Sequence, residues 1–201
     1  MSAIQIETVD RPSMPGCLVA LSRAFESDPV ARWVFPDPAA YAECFPEVGR
    51  AFLEGALPGG TALKVRGLGA TAVWLGPGTG PDESVMDSAL GQGVEPARRP
   101  AVLDFLGQMS ALHPLEPHWY LPLIGVEPSL QGRGLGSALL AQATRACDGL
   151  GLPAYLEATC PTNVALYLRH GFVPLGTIQV DDSPPLTRMR REPRGLPDRR
   201  R

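Results

Sequence analysis

Residues 131–136 read Gln-Gly-Arg-Gly-Leu-Gly, with glycines at Gly132, Gly134 and Gly136. Alternate glycines let a backbone come close to a ligand with no side chain in between. Residues 135–150 place apolar side chains at Leu135, Leu139, Ala143, Ala146 and Leu150, the stripe of an amphipathic helix, so the glycines open that helix. The unpaired N–H groups of a first helical turn and the helix dipole favour an anion, and Arg133 would add a full charge. A pyrophosphate fits this chemistry, although glycines also serve plain tight turns.

Spacing separates the possible phosphate ligands. A nucleotide-binding P-loop needs Lys followed by Ser or Thr after its last glycine, and no lysine stands here. A dinucleotide fingerprint counted from Gly132 and Gly134 finds Ser137 where its third small residue belongs. Glu157, on the following strand, imitates the ribose-binding acid of that fold. The motif nevertheless lies in the last third of the chain, leaving too few residues for the further strand-helix units such a fold requires.

A strand must feed the turn and another must follow the helix. HWYLPLIGV (118–126) is aromatic and β-branched enough for the first, and Pro122 in its middle predicts a bulge or a splay. PAYLEA (153–158) supplies the second. Strand, helix and strand at this length form a right-handed crossover with two parallel neighbours. Upstream, Ile4–Val9 alternates as a strand, and Leu18, Leu21, Ala24 and Phe25 recur at helical spacing up to the break at Asp28-Pro29. DPVARWVFPDP (28–38) predicts a turn or short helix with Trp33, Val34 and Phe35 at its surface, serving either the core or an acceptor pocket. Tyr41, Phe45, Val48, Phe52 and Leu53 mark a second helix over 39–55. Ala62–Val65 and Ala70–Leu75 predict a hairpin, 84–112 one or two helices, and Phe172–Val180 and Leu186–Arg190 the closing strands.

The chain has 201 residues, 44% hydrophobic and 19% charged, which fits one α/β domain over 1–192. Its arginine-rich end, 193–201, has the composition of a disordered tail. The net charge of -3 argues against nucleic acid as a partner. No stretch suits a membrane span and the start lacks signal-peptide character, so a cytoplasmic location is expected. Cys17, Cys44, Cys147 and Cys160 are scattered, predicting reduced, mostly core thiols. His113 and His118 stand five apart across prolines, which forms no helical metal pair; no metal is expected.

The run V-x-P-x-x-Q-G-x-G-x-G from Val126 to Gly136 resembles the acetyl-CoA signature of the GNAT N-acetyltransferase superfamily, and TNVALYLRHGF (162–172) resembles its second signature. The resemblance runs from about Ala70 to Arg190; AVWLGPG, HWYLPLIGV and PAYLEA look like the puromycin N-acetyltransferase branch. It implies a mixed, partly splayed sheet with helices on both faces and acetyl-CoA as acyl donor to a small-molecule amine, the protein being a monomer or homodimer. A non-catalytic acyl-CoA sensor, or a protein or peptide amine as acceptor, is the contrasting reading. Backbone groups at Ile124, Gly125 and Val126 would then pair with pantetheine, and those of Gln131, Gly132, Arg133, Gly134, Leu135, Gly136 and Ser137 would hold the pyrophosphate. Asn163 would meet the coenzyme arm or simply cap its helix. Tyr167 matches the general acid that protonates the leaving thiolate. Glu157, His118 and Tyr120 are the base candidates, Glu157 first; Trp33, Phe35 and Tyr120 would line the acceptor side. His170, at a helix end, reads as structural.

Overall fold

The computed structural model describes residues 4–59, 61–67 and 69–195 and is built on a seven-stranded sheet. In chain order the elements are β1 (Ile6–Thr8), α1 (Met14–Ala24), α2 (Pro29–Val34), α3 (Pro38–Ala56), β2 (Leu63–Val65), β3 (Ala70–Leu75), α4 (Glu83–Gly93) and α5 (Arg99–Ala111). They continue with β4 (Trp119–Val126), α6 (Leu135–Leu150), β5 (Ala154–Ala158), α7 (Pro161–Arg169), β6 (Val173–Ile178) and β7 (Leu186–Arg191). The strand order is β1-β2-β3-β4-β5-β7-β6. Only β4 and β5 run parallel, with α6 as their crossover. The sheet is therefore mixed, with α1 and α3 on one face and α6 on the other.

Two features of β4 shape the centre of the molecule. Val73 faces Leu123 whereas Leu75 faces Tyr120, so two steps along β3 match three along β4. The extra residue is a β-bulge around Leu121 and Pro122, where proline has no ladder N–H to waste. The bulge switches faces: Trp119 and Leu121 point toward α6 before it and Ile124 and Val126 after it, while Tyr120 and Leu123 point toward α1 and α3. The second feature is the splay. β4 and β5 pair only at Trp119–Ala154 and Tyr120–Tyr155, then part. Each is held from its outer side, β4 by β3 as far as Val126 and β5 by β7 along its whole length. The gap is thus fixed by the neighbouring strands rather than by what enters it.

Helix starts follow from sequence. Asp28 and Asp37 each precede a proline at the first helical position; Asp28 Oδ1 accepts the amides of Val30 and Ala31, both at 3.0 Å. Gly125 lets α1 lie against β4, since a Cβ there would stand 2.8 Å from the Ala24 Cβ.

Some expectations need correction. Ala146 and Leu150 of α6 are exposed, because the buried stripe advances through Leu135, Leu139, Ala143 and Cys147 with Leu140 and Thr144 beside it. Four-residue steps with their neighbours, rather than three-residue steps, follow the twist of the sheet. Phe35 is not at the surface; it is 2% exposed, packed among Tyr41, Phe45 and Val102. The reading of the basic tail falls largely on residues 196–201, outside the described residues.

One buried ion pair ties the crossover to the end of the sheet. Arg191, 3% exposed, donates from Nη1 and Nη2 to the two carboxylate oxygens of Asp148 at 2.7 and 2.8 Å, and from Nε to the His170 carbonyl at 3.0 Å. Removing one partner strands a buried charge, so Asp148→Asn is expected to lower stability by about 3 kcal/mol, measured by chemical denaturation. Its hydrogen bond from Arg191 holds the Asp148 carboxyl below its ordinary 3.8. That contribution is complete above the ordinary value and is lost as pH falls through the folded one, so acid should destabilise the wild type more steeply than the variant.

Candidate active site

The splay opens into a cleft of about 450 Å³ between the end of β4, the start of α6 and one face of α7. Ile124, Gly125 and Val126 form one wall. Gln131, Gly132, Gly134, Leu135, Gly136 and Ser137 curve beneath it, and Asn163, Leu166, Tyr167 and Arg169 close the α7 side. Gly132 (φ 75°) and Gly134 (φ 80°) are left-handed, which explains glycine at both. α6 begins at Gly134 with no side-chain cap, so the first-turn amides of Leu135, Gly136 and Ser137 have no partner within the helix. This is an anion cradle of backbone groups, and it fits a coenzyme carrying a pyrophosphate. A β-branched residue at Gly134 would meet the left-handed penalty, so Gly134→Val is expected to weaken CoA binding about tenfold in a calorimetric titration.

The Arg133 side chain turns away from the cradle. Its guanidinium turns back to the Ser129 carbonyl at 3.3 Å, and Arg133 is absent from the cleft wall. Arg169, one turn along α7 from Leu166, is the cation that does line it, a residue the sequence reading passed over. His170 is more than a helix-end group: its Nε2 lies 2.7 Å from Ser137 Oγ, directly behind the cradle.

Tyr167 lies in the cleft wall, 5% exposed, its ring edge-on to Phe172 with centroids 6.0 Å apart. Burial, and then the nearby Cys160 and Asp28, push its phenol well above the usual range, so it stays protonated. A neutral phenol in the cleft wall is a proton donor rather than a base at neutral pH.

A second space, about 160 Å³, adjoins the first; Phe25 and Asp28 line both. Glu157 lies in its wall with Tyr120 and Pro122. The Glu157 side chain is 3% exposed, its Oε1 accepts no hydrogen bond among the described residues, and His113 Nε2 stands 3.2 Å away. The phenols of Tyr120 and Tyr155 flank this carboxylate; desolvation and then its charge raise both. Tyr120 therefore stays neutral, and it lines the cavity wall. His118 lines neither space. Its Nδ1 lies 2.8 Å from the Glu116 carbonyl, and its ring centroid stands 5.7 Å from that of His113. His113, beside Glu157, is a residue that sequence reasoning passed over as a candidate for proton chemistry. Its spacing from His118 raises only the question of a metal pair, whereas its signal is position, in the proline-rich loop that delivers the chain into β4. His113, His118 and Tyr120 also border an outer hollow with Thr79 and Ser110, giving His113 a side toward solvent.

Trp33 does not reach the second cavity. Its indole N–H donates to Asp182 at 3.0 Å and its ring packs on Phe105 beneath the Arg98 guanidinium. Phe35 does line the cavity, from within the core. Among the described residues no helix is long and apolar enough to cross a membrane, and no cluster of three His, Cys, Asp or Glu side chains is arranged to hold a metal.

Comparison with known proteins agrees with this geometry. The Acetyltransferase (GNAT) family model matches residues 101–172, which contain β4, the cradle, α6, β5 and α7. An uncharacterized N-acetyltransferase of Schizosaccharomyces pombe is 28% identical over 96% of this chain and 84% of its own length. The crystal structure of a histone acetyltransferase HPA2 and related acetyltransferase from Corynebacterium glutamicum superposes with a TM-score of 0.72 at 25% identity, covering 98% of this chain and 99% of that one. A Drosophila melanogaster polyamine N-acetyltransferase that forms N-acetylagmatine shares the fold, with a TM-score of 0.70 at 16% identity over 94% of this chain and 100% of its own.

Proposed function

We propose that this chain, an acetyl-CoA-dependent acyltransferase of the GNAT type, acetylates the primary amine of a small molecule by direct transfer in a ternary complex, within one domain spanning residues 1–192. The observation that carries the reading is the junction of the two spaces, an anion cradle with a protonated Tyr167 on one side and the buried Glu157 carboxylate on the other.

Gln131, Gly132, Gly134, Leu135, Gly136 and Ser137 would hold the pyrophosphate through backbone amides, with Arg169 supplying a charge in place of Arg133. The free edge of β4 at Ile124–Val126 would receive the pantetheine amides in the splay, and Asn163 would meet the arm from α7. When bound, acetyl-CoA supplies the activated thioester carbonyl. Glu157 would anchor the acceptor ammonium and take its proton, handing it through His113 Nε2 toward the outer hollow. The neutral nitrogen would then form the new C–N bond as the C–S bond breaks; the Tyr167 hydroxyl would protonate the leaving sulfur, and the second proton that the nitrogen sheds on becoming an amide would return to the Tyr167 oxygen. Starting from an ammonium, one net proton leaves per turnover.

A thiol-release assay with acetyl-CoA and a panel of amines tests this reading. Amine-dependent release of CoA is expected; tight CoA binding with no release would favour a sensor module instead.

A further inference from the structure

The second cavity carries an inference about the acceptor that rests on the transferase reading above. Its walls are apolar: Phe25, Phe35, Phe45, Phe52 and Phe105 surround it, with aliphatic side chains such as Val48 filling in between. The polar groups on its wall are few and of unequal availability. Asp28 is committed, its Oδ1 capping α2 and its Oδ2 accepting from the Thr159 hydroxyl. Tyr120 is a phenol kept neutral by its surroundings. That leaves Glu157 as the anion available to a ligand, with Oε1 unsatisfied, His113 Nε2 3.2 Å from it and the phenols of Tyr120 and Tyr155 beside the carboxylate.

Charge and size then define an occupant. One available carboxylate recognises one ammonium. A second cation would have to sit against phenylalanine rings without a partner, and unpaired burial of a charge is strongly unfavourable. The volume of about 160 Å³ matches that of an engineered apolar cavity, roughly 150 Å³, which admits benzene. The space therefore takes one ring or one branched alkyl group. Because Phe25 and Asp28 wall both spaces, and Glu157 stands across the splay from Pro122, such a ligand would keep its nitrogen toward the cleft while its apolar body faces α3 and α5.

We propose that the acceptor is a small monoamine, a primary ammonium on a short tether to a single aromatic ring or branched alkyl group, rather than a polyamine or a peptide amine. Comparing kcat/KM for 2-phenylethylamine, isoamylamine, spermidine, agmatine and an N-terminal peptide tests this. The first two are expected to exceed the others by about tenfold or more. Val48→Trp, which fills the cavity, is expected to cut kcat/KM for 2-phenylethylamine about tenfold and to abolish its calorimetric binding to the CoA-saturated protein, with CoA affinity unchanged within about twofold. Spermidine, agmatine or the peptide matching 2-phenylethylamine would overturn the inference while leaving the transferase reading intact. CoA binding without turnover of any amine would remove that reading, and the inference with it.

Discussion

Replacing Tyr167 by phenylalanine is expected to lower kcat by about a hundredfold or more while leaving CoA affinity within about twofold. The ring would keep its place against Phe172 and beneath the cleft, so packing and coenzyme contacts survive. What disappears is the proton. Without a donor, the sulfur must leave as a free thiolate, and the barrier rises by the stabilisation lost. Because burial raises the phenol far above neutrality, ionisation of Tyr167 should not limit the wild-type rate anywhere near neutral pH. A kcat that stays within threefold in the variant would remove the acid role and leave Tyr167 as a packing residue.

Glu157→Gln is expected to lower kcat/KM by about a hundredfold, with KM for the amine rising as well as kcat falling. The amide keeps the shape but neither attracts an ammonium nor accepts its proton. It also leaves the phenols of Tyr120 and Tyr155 without the charge beside them, so their ionisation should fall back toward the value that burial alone sets. That shift can be followed by ultraviolet titration of tyrosinate, independently of turnover. His113→Gln should cost less, about tenfold in kcat, since Glu157 would remain to bind the amine while its route to solvent is slowed. Glu157→Gln acting on kcat/KM no more than a remote surface substitution would dismiss the anchoring role.

Much of the cofactor half was readable because it is local. Val126 to Gly136 is one continuous strand-turn-helix, so spacing alone put Gly132 and Gly134 at the turn and the uncapped first-turn amides at the cleft. Pro122 likewise announced an irregularity in β4, and the bulge and the parting from β5 both lie beside it. Side-chain direction was not local. Arg133 shares the turn, yet its exit toward Ser129 depends on a three-dimensional alternative that spacing does not contain. The acceptor side was the least legible, because its wall is assembled from Phe25 after α1 and from α2, α3, α4, α5, β4, β5 and β7, distant in sequence. Trp33 and Phe35 belong to one aromatic run, but two residues apart across the end of α2 they point differently, Trp33 to Asp182 and Phe35 to the cavity. His113 reaches Glu157 across forty-odd residues of chain, a pairing made only when β5 is laid beside β4.

Direct transfer is the centre of this account, and Cys160, partly exposed and near enough to influence the Tyr167 phenol, is the nucleophile through which a covalent alternative would run. The most direct test is a single-turnover experiment in which the acetyl-CoA complex is mixed with 2-phenylethylamine and quenched at intervals. N-acetylated amine and free CoA should appear in equal amounts with one rate constant, and the protein should carry no acetyl group at any time. Free CoA forming ahead of product, with acetyl on the protein that later passes to the amine, would contradict it.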